Sequence, residues 1–190
     1  PEMRLKQEIL LGIGGVKMLE ALGIQPNLYH INEGHAAFTI LERIRNIMQQ
    51  SHLSFDEAME IVKCTTQFTT HTAVTAAKDV FDEVLLRTYL SYLAKDFNIS
   101  WDTLMKLGST GEEHSQGGFS MMHFAATLSQ GINAVSKQHR GISCNLLNPL
   151  WKNSKPDELH ITNITNGIHL PTWMAPAWHP YISDIRSGKA

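Results

Sequence analysis

The sequence predicts an α/β protein: a Rossmann-like parallel sheet with flanking helices. Three observations carry that expectation. Short runs rich in β-branched or aromatic residues, Leu28–Ile31, Thr65–Thr70, Ile132–Val135 and His160–Thr165, alternate with longer stretches of helical periodicity. Three of these runs end in polar turns, Asn32-Glu33-Gly34-His35, Thr69-Thr70-His71-Thr72 and Thr165-Asn166-Gly167. With 190 residues, 43% of them hydrophobic, the chain is long enough for one domain with a real core.

The elements follow in order. Leu5, Ile9, Ile13 and Val16 keep helical spacing, with Gly23 as the stop and Pro26 beyond it, although Gly12, Gly14 and Gly15 weaken the helix from within. After the first strand, Ala37, Leu41, Ile44 and Met48 line one face of a second helix. Ser54 and Glu57 form a capping box that opens a helix reaching about Lys63. Phe81, Leu85, Tyr89 and Tyr92 mark another helix, and Ser100 caps a further one, with Ile99 and Leu104 placed as a hydrophobic staple and Gly108 as its end. Phe119 to Gln130 is helical in pattern. Between them, Leu107 to Gly118 reads as a glycine-rich surface loop whose spacing fits no phosphate-binding signature.

Composition removes several functions. A net charge of -2 and a pI near 6.6 supply no basic stripe for nucleic acid, and no basic amphipathic helix or long apolar run suggests a membrane. Cys64 and Cys144 form neither a disulfide framework nor a metal spacing, which fits a reducing cytoplasm. Ten histidines include no H-E-x-x-H, so no metal site is expected. No G-x-S-x-G elbow appears, and the adjacent Glu112-Glu113 cannot flank a glycosidic bond as a hydrolase needs. The four tryptophans are read as packing or interface residues. Beginning inside a helical pattern at Pro1 and stopping at Ser187-Gly188-Lys189-Ala190, the chain is expected to be a piece of something longer.

In open parallel sheets ligands bind beyond the carboxyl ends of the strands. The polar turns share that edge if the strands lie in one sheet. Histidines and amides, which both donate and accept, suit sugar hydroxyls. Each also has a plainer use: Asn32 as a helix cap, His71 as an ordinary turn residue, Asn166-Gly167 as a common turn.

Four stretches then resemble one family. "HINEGHAAFTILERIR" from His30, "FTTHTAV" from Phe68, "INAVSKQH" from Ile132 and "ITNGIHLPTWMAPAW" from Ile164 are similar, in this order, to segments of the α-glucan (glycogen, starch, maltodextrin) phosphorylases. The likeness is stronger to the shorter bacterial and archaeal branch than to the regulated animal enzymes. One stretch departs: after His71-Thr72 the family often carries two prolines, whereas this chain runs "AVTAAKDVF", keeping Ala76, Asp79 and Phe81.

The resemblance implies that His71 and Asn166 bind the glucosyl unit, that Glu33 and His35 line the pocket beside it, that Asn32 is structural, and that Ser136, Lys137 and His139 support the site by packing. It implies a fold of the two-domain GT-B type, in which residues 1–190 are a single partial domain, the later part of the N-terminal Rossmann-like half. The reaction implied is phosphorolysis of terminal α-1,4 bonds by inorganic phosphate, with pyridoxal phosphate carried by a lysine of a C-terminal domain that this chain lacks. No catalytic or cofactor-binding residue is assigned here, the piece alone is expected to be inactive, and a homo-oligomer is left open. Two alternatives stand beside it: a nucleotide-sugar transferase of glycogen synthase type, and a non-catalytic carbohydrate-binding protein.

Overall fold

The structure, a computed structural model, describes residues 1–74, 79–109 and 118–188. Ala76 and the Glu112-Glu113 pair lie outside these residues. Four parallel strands, β1 (Tyr29–Asn32), β2 (Thr66–Thr70), β5 (Gly131–Ala134) and β6 (Ile161–Asn163), form one sheet in the order β1-β2-β5-β6. All four were legible as apolar runs, with ends displaced by a residue or two.

Register is fixed by burial. Ile31, Phe68, Ile132 and Ile161 stand side by side across the sheet, each at most 6% exposed. One position onward, a row of opposite character crosses the same strands: Asn32, Thr69, Asn133 and Thr162. A slip of one residue would exchange the two rows and bury the polar one against the core, so the pairing is strongly specified. Because the strand order rises monotonically with sequence, right-handed crossovers lay the connecting helices on the same face, the one carrying the apolar row.

The helical layer begins with α1 (Glu2–Ile9) and α2 (Gly15–Ala21), joined without a break by a π-helical turn at Leu10–Gly14. The interior glycines do not end the helix. A Cβ on Gly12 would lie 2.7 Å from the Thr39 nitrogen and 2.8 Å from the Phe38 Cβ, so glycine is what lets the next helix approach. That helix, α3 (Thr39–Ser51), buries Ile40, Leu41 and Ile44, and α4 (Phe55–Cys64) opens on the expected capping box, Ser54 accepting from the Glu57 amide while the Glu57 carboxylate accepts from Ser54.

The carboxyl end of α4 is tied to the sheet by a buried arginine. Thr65 and Thr66 hydroxyls donate to the Ile61 and Val62 carbonyls and accept from the Arg43 guanidinium at 2.5 and 2.7 Å. The guanidinium also stacks 3.9 Å from the Tyr29 ring centre. Burial pulls its pKa down to about 10, and the negative end of the α4 dipole, relayed through two hydroxyls, stands where a carboxylate would otherwise be needed.

Two sequence expectations are corrected. The helical patterns starting at Phe81 and Phe119 each begin with strand: β3 (Val80–Asp82) and β4 (Gly118–Ser120) pair antiparallel, placing Phe81 opposite Phe119. Only beyond them do α5 (Glu83–Asp96) and α7 (Met121–Thr127) start, capped by Asp82 and Ser120. Both phenylalanines are buried, and Phe119 stacks among Phe38 and Phe124, so long-range packing overrode the local periodicity. Between them lies α6 (Trp101–Lys106), capped by Ser100 as expected. Gly108 follows it, yet its role is not a left-handed turn: a Cβ there would lie 2.6 Å from three carbons of the Phe119 ring.

After β5, α8 (Lys137–Leu147) returns to β6, and the chain finishes with two short helices, α9 (Leu170–Trp173) and α10 (His179–Arg186). No residue from Thr162 to Gly188 is buried, although Ile168, Trp173, Trp178, Tyr181 and Ile185 are large and apolar, each more than 60% exposed. Trp101 and Trp151, by contrast, pack against the core. No helix among the described residues is long and apolar enough to cross a membrane.

Two substitutions test this packing. Gly108→Ala should destabilise the protein by about 1 to 3 kcal/mol through overpacking against Phe119, read as a lowered urea midpoint at unchanged slope. Arg43→Met should cost about 2 kcal/mol, the worth of hydrogen bonds to a charged donor, in the same measurement.

Candidate active-site edge

The parallel sheet brings the ends of β1, β2 and β5 to one edge, and side chains stitch the turns there together. Glu33 follows β1 with φ 64 and ψ 177, backbone that costs a non-glycine residue about 1 to 3 kcal/mol. In that conformation its amide donates to the Thr69 carbonyl at 2.8 Å and its Oε2 accepts from the His71 amide at 2.6 Å. The carboxylate thus holds the β2 turn against the β1 turn.

From the other side, His139 secures the same turn. This buried residue of α8 donates from Nε2 to the Thr72 carbonyl at 2.8 Å, which leaves Nδ1 to accept from the Val135 amide at 3.4 Å. Ser136 caps α8 by accepting from the His139 amide. The His71 side chain itself is exposed, between two neighbouring turns that fix its backbone. Beneath this edge the polar row is internally bonded: His30 Nε2 donates to the Thr69 hydroxyl at 2.6 Å, which donates to Asn133 Oδ1 at 2.7 Å.

Asn166 lies in the exposed segment that leaves β6. With one strand between β2 and β6, the two turns start about 10 Å apart, twice the spacing of paired strands. Of the four sequence-selected residues, Glu33, His35 and His71 sit on the adjoining β1 and β2 turns, and Asn166 stands beyond β6.

His35 has neighbours that local sequence could not supply. Arg4 of α1 donates from Nη2 to His35 Nδ1 at 2.5 Å and to Asp79 Oδ2 at 3.1 Å, while its Nε lies 2.9 Å from Glu8 Oε1. Glu8 is fully buried, and neither of its oxygens has an aligned hydrogen bond among the described residues. Burial first, then the Asp79 charge, pushes its pKa up to about 8. Asp79 moves the other way: burial alone would raise it, but the Arg4 guanidinium, donating to it at 3.1 Å, holds it below its ordinary value. Glu8, His35 and Asp79 offer three metal-type ligand atoms within 4.8 Å of one another, yet the Arg4 guanidinium lies within 3.1 Å of all three side chains and supplies the cation. Arg4, Glu8 and Asp79 are missing from the sequence-derived site; the spacing of Arg4 and Glu8 by one helical turn was its sole local trace.

The family model for carbohydrate phosphorylases matches residues 17–187. The chain belongs to the carbohydrate phosphorylase family. It is similar to a glycogen phosphorylase of Mycobacterium tuberculosis, at 39% identity over 188 residues, 93% of this chain and 21% of the relative. It is also similar to a maltodextrin phosphorylase of Thermococcus litoralis, at 40% over 177 residues, 91% of this chain and 20% of the relative. A glycogen phosphorylase of Aquifex aeolicus is 33% identical over 185 residues, 97% of this chain and 25% of the relative. The muscle form from Bos taurus is 26% identical and a glycogen phosphorylase of Bacillus subtilis 24%, so the likeness does not divide bacterial from animal relatives. This member of the phosphorylase family therefore spans about a fifth of the length of the relatives that it most resembles here.

The Glu8 shift gives a pH test. Its folded pKa lies above 4.5, so neutral Glu8 favours the folded state at low pH, and that contribution fades as pH rises toward about 8. The stability of the unsubstituted protein minus that of Glu8→Gln should fall across this window, by at most about 1.4 kcal/mol per pH unit. A difference independent of pH would show that Glu8 is ionised in the folded protein.

Proposed function

We propose that this chain forms the glucosyl-binding wall of an α-glucan phosphorylase. The observation that supports this best is the pairing of the family match with the edge geometry: the turns bearing His71 and Asn166 leave the same end of one parallel sheet, and the His71 turn is fixed by both Glu33 and His139. In this reading the His71 imidazole and the Asn166 amide hydrogen-bond hydroxyls of the terminal glucosyl unit from either side. Glu33 acts chiefly by holding the His71 backbone, and His35 lines the pocket beside the sugar.

The reaction is phosphorolysis. Inorganic phosphate displaces the terminal glucosyl unit of an α-1,4-glucan: the bond from the anomeric carbon to the glycosidic oxygen breaks, a bond to phosphate forms with retention, and the shortened glucan takes up the proton. This chain's share is binding and orientation, with rate gained by holding the anomeric carbon in line for attack. Pyridoxal phosphate, the family's cofactor, would supply a phosphate group that relays the proton. The residues here do not fit it: no described lysine is buried, and Lys63, the half-buried one, lines a cavity with Gln130 and Trp151 at the amino end of β5, away from the polar edge. We therefore assign its lysine, and the residues that hold substrate phosphate, to the rest of the polypeptide.

The same reading makes residues 1–190 the later part of an N-terminal Rossmann-like half facing a second domain, in a cytoplasmic protein. Uncovered apolar side chains between Ile168 and Ile185 support it, since one wall of a cleft without its partner exposes such surface. The family match favours this over a nucleotide-sugar transferase or a non-catalytic binding protein.

The deciding experiment measures glucose 1-phosphate released from a maltooligosaccharide in phosphate buffer, by the full-length protein with and without pyridoxal phosphate and by this chain alone. Cofactor-dependent release with the chain silent is expected. His71→Ala and Asn166→Ala in the full-length protein should each lower kcat/KM by about 10- to 100-fold, the worth of a hydrogen bond to substrate. Turnover by the isolated chain, or none by the full-length protein, would overturn the assignment.

A further inference from the structure

The Arg4 cluster has a use that the glucosyl-binding reading does not contain. A guanidinium can only donate, so the 2.5 Å contact from Arg4 Nη2 requires a bare Nδ1 on His35. Asp79 Oδ2, 3.2 Å from the same nitrogen, would by itself favour a proton there. Both cannot hold at once: an N–H on Nδ1 would face the Arg4 N–H at hydrogen-bond distance. The arrangement resolves the conflict by turning Asp79 into an acceptor for Arg4 at 3.1 Å and by anchoring the guanidinium Nε at Glu8.

We propose that Arg4 is a positioning residue that fixes the tautomer of His35, leaving Nδ1 bare and the proton on Nε2, so that the ring presents a hydrogen-bond donor at the carboxyl edge of the sheet. Three features support this. His35 is in the turn after β1, two residues beyond Glu33, and its side chain is 44% exposed, so part of the ring reaches open space. The contact to Arg4 is made through Nδ1, so the ring keeps Nε2 for its proton. Arg4 is itself fixed, because two carboxyl groups on different segments, Glu8 one helical turn along α1 and Asp79 before β3, hold its head from separate directions. A donor with a set tautomer selects an acceptor. On the reading of this edge as the glucosyl wall, with which the ligand but not the tautomer stands or falls, that acceptor is a sugar or phosphate oxygen.

The test is nitrogen NMR on the full-length protein carrying ring-labelled histidine, with His35 assigned by the signal lost in His35→Gln. At neutral pH, without sugar, His35 should show an unprotonated Nδ1 and a protonated Nε2. Arg4→Met should move the proton to Nδ1, where Asp79 accepts it, and Arg4→Lys, which keeps a charged donor, should restore the original form at least in part. A protonated Nδ1 in the unsubstituted protein, or an unchanged tautomer in Arg4→Met, would overturn the proposal. The first spectrum decides even if a variant fails to fold. Binding of glucose 1-phosphate is a separate reading: about tenfold weaker binding in Arg4→Met is expected, and if the sugar does not bind at all while the tautomer is as stated, the glucosyl assignment fails and the role of Arg4 stands.

Discussion

Everything at the candidate site depends on one constraint, the register of four parallel strands. Ile31, Phe68, Ile132 and Ile161 fall in one row because that is the arrangement in which all four reach the helix-covered face. Once that row is set, the positions that follow it are set too, and Asn32, Thr69, Asn133 and Thr162 line up beside the carboxyl edge without further specification. A parallel sheet points all its strand ends the same way, so the turns after them become neighbours although Glu33 and His71 are separated by a helical hairpin in sequence.

Local strain and buried charge gather at that edge, where they do positional work. Glu33 accepts an unfavourable backbone conformation and gains bonds to Thr69 and His71. His139 uses both ring nitrogens on backbone groups of different turns. Arg4, Glu8 and Asp79 form a network in which one carboxyl group is kept neutral and the other ionised, a division set by burial and by the single guanidinium they share. Elsewhere the same logic appears in purely structural form, with Arg43 offset by the end of a helix rather than by an acid.

The surface of the last 27 described residues, Thr162 to Gly188, is of another kind. Trp173, Trp178 and Tyr181 carry large apolar area at high exposure, in a family whose members compared here are about five times as long. The polar edge and this apolar stretch both follow from sheet strands, but the turns of the edge are hydrogen-bonded to one another through Glu33 and His139, whereas no residue of the stretch is buried. That contrast accords with an edge that binds a polar ligand and a stretch that meets more protein.

Much of the molecule was decided close to home in the sequence. Strand runs, helix faces, the Ser54 capping box, the Ser100 cap and the polar turns at Asn32–His35 and Thr69–Thr72 rest on periodicity and on interactions within a few residues, so the sequence by itself determined them. Four family-like motifs, being local strings, were legible for the same reason. The tertiary structure alone decided what depends on residues far apart: the antiparallel pairing of Phe81 with Phe119, the glycine demanded at 108 by the ring of Phe119, and the meeting of Arg4, Glu8, His35 and Asp79. No periodicity encodes such meetings. They exist because a close-packed core brings distant segments into contact, and the free energy that selects them is shared among side chains that no local window contains together.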